Sequence, residues 1–145
     1  MTSKVEMVSV VIPTLNEAGN ILEAVTTIQK HLTYPKEIII VDGDSTDGTK
    51  EIVKKLDCCK LIIEPRRGYG LALMTGMKNA KGNIIIMVDG DGTYEFKHMN
   101  RLIEKMIEKD SDMVLATRMY DPNKAMGIMN FIGNKVITFV FDFVY

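Results

Sequence analysis

Asp89 and Asp91 flank Gly90, and Gly92 follows them, directly after the apolar run Ile84-Ile85-Ile86-Met87-Val88. The run reads as a buried strand, and the glycines let the chain turn sharply at its end. Residues i and i+2 of a strand face the same way, so the two carboxylates converge. A convergent anionic pair is costly until a cation or proton neutralises it. Hard oxygen ligands in small number suit Mg2+ or Mn2+ held jointly with a substrate's phosphates. Asp and Gly are also common turn formers, so the tripeptide by itself reads as an acidic turn too.

The elements that must position this pair follow from hydrophobic periodicity. Val8 to Ile12 predicts a strand stopped by Pro13. A helix from about Ala18 to His31 follows, with Asn16 as its cap and Ile21, Leu22, Val25, Ile28 and Leu32 on one apolar face. Glu37 to Val41 is a second strand, and Thr46 or Asp47 opens a short helix carrying Ile52, Val53 and Leu56. Leu61 to Ile63 is a third strand, ended by Pro65, before a helix from about Gly70 to Asn79. The fourth strand spans residues 84 to 88 and a helix residues 96 to 109, where Met99, Leu102, Ile103, Met106 and Ile107 keep helical spacing. Met113 to Thr117 is expected as a fifth strand. Strands and helices alternate with short connections, and the strands are continuous apolar runs. That pattern predicts an α/β fold, a doubly wound and mostly parallel sheet covered on both faces.

Ligands of such sheets bind at the carboxyl ends of strands. The polar clusters all follow strands: Pro13-Thr14-Leu15-Asn16-Glu17, Asp42-Gly43-Asp44-Ser45, Arg66-Arg67-Gly68, Asp89-Gly90-Asp91 and Arg118. The opposite loops, Thr33-Tyr34-Pro35 and Ala80-Lys81-Gly82, look chemically plain. A nicotinamide-dinucleotide domain would want G-x-G-x-x-G after the first strand, where this chain has Pro-Thr-Leu-Asn-Glu. A P-loop is excluded, because no G-K-[ST] occurs.

Four of these segments, in order, resemble the blocks of family 2 glycosyltransferases. Ser9 to Glu17 resembles their opening, and Ile40 to Thr49 their second block, usually V-D-D-G-S-T-D-G-T. Arg66 to Gly76 resembles R-G-x-G-x-A-x-x-x-G, and Asp89 to Tyr94 the metal-binding D-x-D block. Within the family, Asp-Gly-Thr-Tyr and the apolar tail look most like the dolichol-phosphate or polyprenyl-phosphate sugar transferases. The resemblance implies a GT-A fold, Rossmann-like, and a nucleotide diphosphate sugar donor of GDP-mannose or UDP-glucose type. Pro13, Thr14, Glu17 and Asp42 would hold base and ribose, and Arg67 the donor's charge. Asp89 and Asp91 would hold Mg2+ or Mn2+ on the diphosphate. The family's second acid is displaced here, from the position of Gly43 to Asp44, so Asp42 carries over, while Asp44 reads either as that acid or as a cap of the following helix. Ser45, Thr46 and Asp47 read as helix caps.

Transfer builds negative charge on the leaving diphosphate, which a metal and Arg67 or Arg118 would stabilise. A sugar hydroxyl acceptor needs a general base, and no residue here matches the family's usual one. A phosphate has its second pKa at ~6 and is largely dianionic at neutral pH, so it needs none. A polyprenyl phosphate acceptor is thus favoured, although a chain that ends before the base would look the same. From Gly127 to Tyr145 the chain is dense in Ile, Phe, Val and Met, with Asn130, Asn134, Thr138 and Asp142 recurring every four positions. Such a helix is buried in a larger protein or lies at a membrane interface. Arg118, Lys124 and Lys135 are candidate contacts for an acceptor phosphate.

Residues 1–126 are therefore expected as the nucleotide-sugar-binding domain, and 127–145 as the start of a truncated acceptor or membrane-interface region. The 145 residues and net charge of −1 suit one domain without a nucleic-acid-binding surface. Cys58 and Cys59 are adjacent and the only cysteines, which suits a reducing cytoplasm. No signal peptide is expected, and no apolar run reaches the ~18 residues of a membrane span. Contact with the cytoplasmic face of a membrane is the corresponding expectation. Two alternatives stay open: transfer to a sugar hydroxyl in glycan synthesis, and nucleotide-sugar binding without turnover.

Overall fold

A computed structural model describes residues 5–91 and 96–116. Strands β1 (Val8–Thr14), β2 (Lys36–Asp42), β3 (Cys59–Ile63) and β4 (Ile84–Met87) alternate with helices α1 (Ile21–His31), α2 (Thr49–Val53) and α3 (Tyr69–Asn79). A 3-10 turn at Phe96–His98 leads into α4 (Met99–Glu108). All strand pairings are parallel, in the order β3-β2-β1-β4. The chain steps outward from β1 to β3, then returns across the sheet to place β4 on the other side of β1. Strand order therefore reverses between β1 and β4, and the crevice at their carboxyl ends is the expected ligand position.

The two sheet faces are filled separately. Val8, Val10 and Ile12 of β1, with Ile38 and Ile40 of β2, pack against Ile21, Ala24, Val25 and Ile28 of α1 and Met99 and Ile103 of α4. Val11, Ile39 and Val41 point to the other face and meet Ala72 of α3. Reversal of the winding direction puts a right-handed crossover on the opposite face, which is why α3 lies apart from α1 and α2. Helix α3 also sits close: a Cβ at Gly76 would overlap Val11 Cγ1. Each fully buried Ile or Val of these strands contributes roughly 1.5–3 kcal/mol.

Three sequence expectations change. Pro13 does not stop β1; it pairs in register with Val41. Val11 O accepts from Val88 N at 3.1 Å on the β4 side, and Thr14 O from Gly43 N at 2.8 Å on the β2 side. Pro13 faces the same way as Val11, beyond the end of the β4 ladder, so its missing N–H costs no bond. Asn16 does not cap α1. It has φ 58, and the residue before α1 is Asn20, which makes no side-chain capping bond. Residues 113–116 have no regular structure, with Met113 and Leu115 exposed, so the fifth strand does not form over them. An apolar run becomes a strand only where a ladder partner holds it. The chain divides into two units, Met1–Asp112 and Met113–Tyr145. The boundary expected at residues 126/127, the apolar tail, Arg118, Lys124 and Lys135 lie outside the described residues.

Candidate functional site at the carboxyl ends of β1, β2 and β4

Asp42, the last residue of β2, is fully buried and its carboxylate is spent on the protein. Oδ1 accepts from the Ser45 amide at 2.7 Å, and Oδ2 from Ser45 Oγ at 2.7 Å and Thr14 Oγ1 at 3.1 Å. A buried carboxylate is tolerated only when hydrogen-bonded this way. Asp42 thus acts through Thr14 and Ser45. Asp44, at φ 65, turns outward and pairs with Lys50 at 2.6 Å.

The loop after β1 is laced to the loop after β2. The amides of Asn16, Glu17 and Ala18 donate to Ser45 Oγ, Thr49 Oγ1 and Asp47 Oδ2 at 2.8, 2.9 and 2.9 Å. Asn16 Oδ1 accepts in return from the Thr46 amide at 3.0 Å. Asp47 is held below the usual carboxylate range, first by the Thr49 hydroxyl and then by the Ala18 amide. Ser45 and Thr46 therefore join loops rather than cap α2, which begins later, after Gly48 in the left-handed region. Asp47 does both: its Oδ1 takes the Thr49 amide at 3.0 Å, at the first residue of α2. Three loop amides ahead of α1 are consumed by protein acceptors, so the loop before α1 is not a phosphate cradle of the P-loop kind. Glu17 stays at the rim, where Oε2 accepts from Asn20 Nδ2 at 2.9 Å.

The Asp89-Gly90-Asp91 turn packs on the end of β1. Gly90 is buried, and a Cβ there would lie 3.0 Å from Thr14 Cγ2 and 3.4 Å from Ile12 Cγ2. Thr14 thus touches both acidic loops, one through its hydroxyl and one beside its methyl. Asp91 is exposed and Asp89 half-buried, and Asp89 Oδ1 accepts from the Tyr69 hydroxyl at 2.7 Å. That bond joins the glycine-rich block to the acidic turn, and sequence reading did not anticipate it. The donor set is oxygen only, which fits a hard divalent ion. No group of three acidic, His or Cys side chains that could hold an ion by itself occurs among the described residues.

Cationic residues at the end of β3 have distinct tasks. Arg66 forks onto Glu64, with Nε to Oε1 and Nη2 to Oε2 both at 2.8 Å, and Thr75 Oγ1 also donates to Oε2 at 2.8 Å. These bonds, Arg66 first and Thr75 next, hold buried Glu64 at a pKa of about 2. Arg67 is exposed and has no ion-pair partner among the described residues. Of the expected site residues, Pro13, Thr14 and Asp42 close strands β1 and β2, Glu17, Asp89 and Asp91 lie on the loops that follow β1 and β4, and Arg67 lies in the loop after β3. A hollow of about 400 Å³ lined by Asn83, Ile84, Met106 and Asp112 lies at the opposite end of β4, away from the acidic turn.

The family model for glycosyl transferase family 2 matches residues 9–133. The chain belongs to glycosyl transferase family 2. The low-salt glycan biosynthesis hexosyltransferase Agl6 of Haloferax volcanii is 31% identical over 137 residues, covering 90% of this chain and 32% of that protein. An uncharacterized protein of Methanocaldococcus jannaschii is 37% identical over 138 residues, covering 90% of this chain and 55% of that one. The chain thus spans about a third to just over half the length of these curated relatives. The mannosyltransferase PcManGT of Pyrobaculum calidifontis, solved in complex with GDP-Man and Mn2+, is 33% identical with a TM-score of 0.59. That match covers 67% of this chain and 30% of the other. S. aureus TarS, solved with UDP, matches in fold at 22% identity and a TM-score of 0.63, over 79% of this chain and 39% of that one. The family 2 sheet order and alternation are those of a GT-A fold, as expected from the sequence. No helix among the described residues is long and apolar enough to cross a membrane.

Proposed function

We propose that this chain is the donor-binding part of a metal-dependent, inverting glycosyltransferase that moves a sugar from a nucleotide diphosphate sugar to a polyprenyl phosphate. The observation that carries the reading is the convergence of the Asp42 and Asp89-Gly90-Asp91 loops on Thr14, at the crevice where strand order reverses. The likeness to a mannosyltransferase solved with GDP-Man and Mn2+ supports the donor class.

Pro13, Thr14 and Glu17 line the base and ribose side, with Asp42 fixing Thr14 and Ser45 from within. Asp89 and Asp91 would hold Mg2+ or Mn2+, and a bound ion there would supply positive charge to the leaving diphosphate. Arg67 adds a cation on the same edge, and Arg118, Lys124 and Lys135 are proposed for the acceptor phosphate. An acceptor phosphate oxygen attacks the anomeric carbon, the bond to the diphosphate breaks, and the nucleoside diphosphate departs with its electron pair. A dianionic phosphate brings its own nucleophile, so no protein base is required. The 127–145 segment is proposed to meet the lipid at the cytoplasmic face of a membrane.

A second reading, transfer to a sugar hydroxyl, draws on the glycan biosynthesis hexosyltransferase among the relatives. Turnover of GDP-mannose and UDP-glucose, each with a short polyprenyl phosphate or a free sugar acceptor, tests the proposal. Lipid-linked product is expected. Transfer only to the sugar hydroxyl would favour the second reading, and binding without any transfer would leave a nucleotide-sugar-binding domain.

A further inference from the structure

Tyr69 opens α3, and its hydroxyl donates to Asp89 Oδ1 at 2.7 Å across twenty residues of sequence. Both ends of this bond are fixed by backbone. Gly68, at φ +142, sets the angle at which α3 starts, a conformation that L side chains rarely adopt. Gly76 then seats the helix directly on Val11 of β1. Asp89 follows Val88, whose amide is tied to Val11 O at 3.1 Å. Helix α3, which carries Tyr69, and the strand end that carries Asp89 thus both contact Val11 of β1. Tyr69 is 60% exposed and is not among the buried core residues.

We propose that Tyr69 is a positioning residue for the metal–diphosphate site. By binding one oxygen of Asp89 it fixes the carboxylate's rotamer, so that Asp89 and Asp91 meet an arriving cation already aligned. Preorganised ligands save the side-chain ordering that binding would otherwise cost. The inference rests on the metal-site reading above.

The test compares the wild-type chain with Tyr69→Phe, which deletes only the hydroxyl from an exposed ring. Titration calorimetry with GDP and with UDP, each with and without Mn2+, gives the factor by which Mn2+ tightens binding. Mn2+ electron paramagnetic resonance reads free and bound ion independently of activity, and thermal melting followed by circular dichroism checks the fold. Tyr69→Phe is expected to cut the Mn2+ enhancement about fivefold, the worth of one hydrogen bond, while metal-free nucleotide affinity stays unchanged. A merely structural role would weaken binding equally with and without metal, and that result overturns the inference. An undiminished Mn2+ enhancement in the variant overturns it as well. Absence of any Mn2+ effect in the wild type overturns the metal reading, and this inference with it.

Discussion

Thr14 Oγ1 donates to Asp42 Oδ2 at 3.1 Å, and both side chains are buried. The bond ties the last residue of β1 to the last residue of β2, while the Thr14 methyl faces Gly90 of the acidic turn. One side chain thus sets the spacing of two loops that are close to each other only in the folded chain. Thr14→Val keeps the shape and removes the donor, which leaves a buried carboxylate one partner short. A loss of about 1–3 kcal/mol is expected in urea unfolding. Thr14→Ser, which keeps the hydroxyl, should lose less. Equal stability of the valine variant and the wild type would contradict this role.

Glu64 yields a pH dependence with a definite sign. Its carboxyl is lowered from 4.5 to about 2, first by Arg66 and then by Thr75. A depressed acid stabilises the fold fully above its unfolded value and loses that contribution as pH falls through the folded one. Stability should therefore decline between about pH 4.5 and pH 2. Glu64→Gln should flatten that part of the curve, measured as melting temperature against pH. An unchanged slope in the variant would count against the pairing.

Gly76→Ala tests the packing that seats α3. The added methyl would overlap Val11 Cγ1 and crowd Val41 Cγ2 at 3.2 Å. Overpacking of this kind costs about 1–3 kcal/mol, so the melting temperature should fall by roughly 5 °C. A melting temperature at or above that of the wild type would show that α3 yields instead.

The sheet was legible in the sequence because apolar strand runs and helical periodicity are local signals. Ile38 to Val41 can satisfy such a pattern only with both faces covered. The acidic turn was legible because glycines mark where a strand ends. The lacing of Asn16, Glu17 and Ala18 to Ser45, Thr49 and Asp47 was not, because it consists of bonds between loops about thirty residues apart. Asn16 and Thr46 carry cap-like side chains, and composition cannot distinguish a local cap from a long-range one. Its only trace was an unbroken polar run, Asp44 to Gly48, too rich for a simple turn. Pro13 misled for a related reason: its cost depends on which neighbour its missing N–H faces, and that is a property of strand order. The exposed residues 113–116 show the opposite failure, an apolar run without a ladder.

The central claim is that Asp89-Gly90-Asp91 and the β1 and β2 loops form one metal-assisted nucleoside diphosphate site. Calorimetric titration of GDP and UDP with and without Mn2+, on the wild type and on Asp91→Ala, tests it most directly. The wild type should bind at least one of the two nucleotides, and more tightly with Mn2+. Asp91→Ala should lose that Mn2+ enhancement while its melting temperature stays close to the wild type's. Failure of both nucleotides to bind, or an Mn2+ enhancement that survives in Asp91→Ala, would contradict the account.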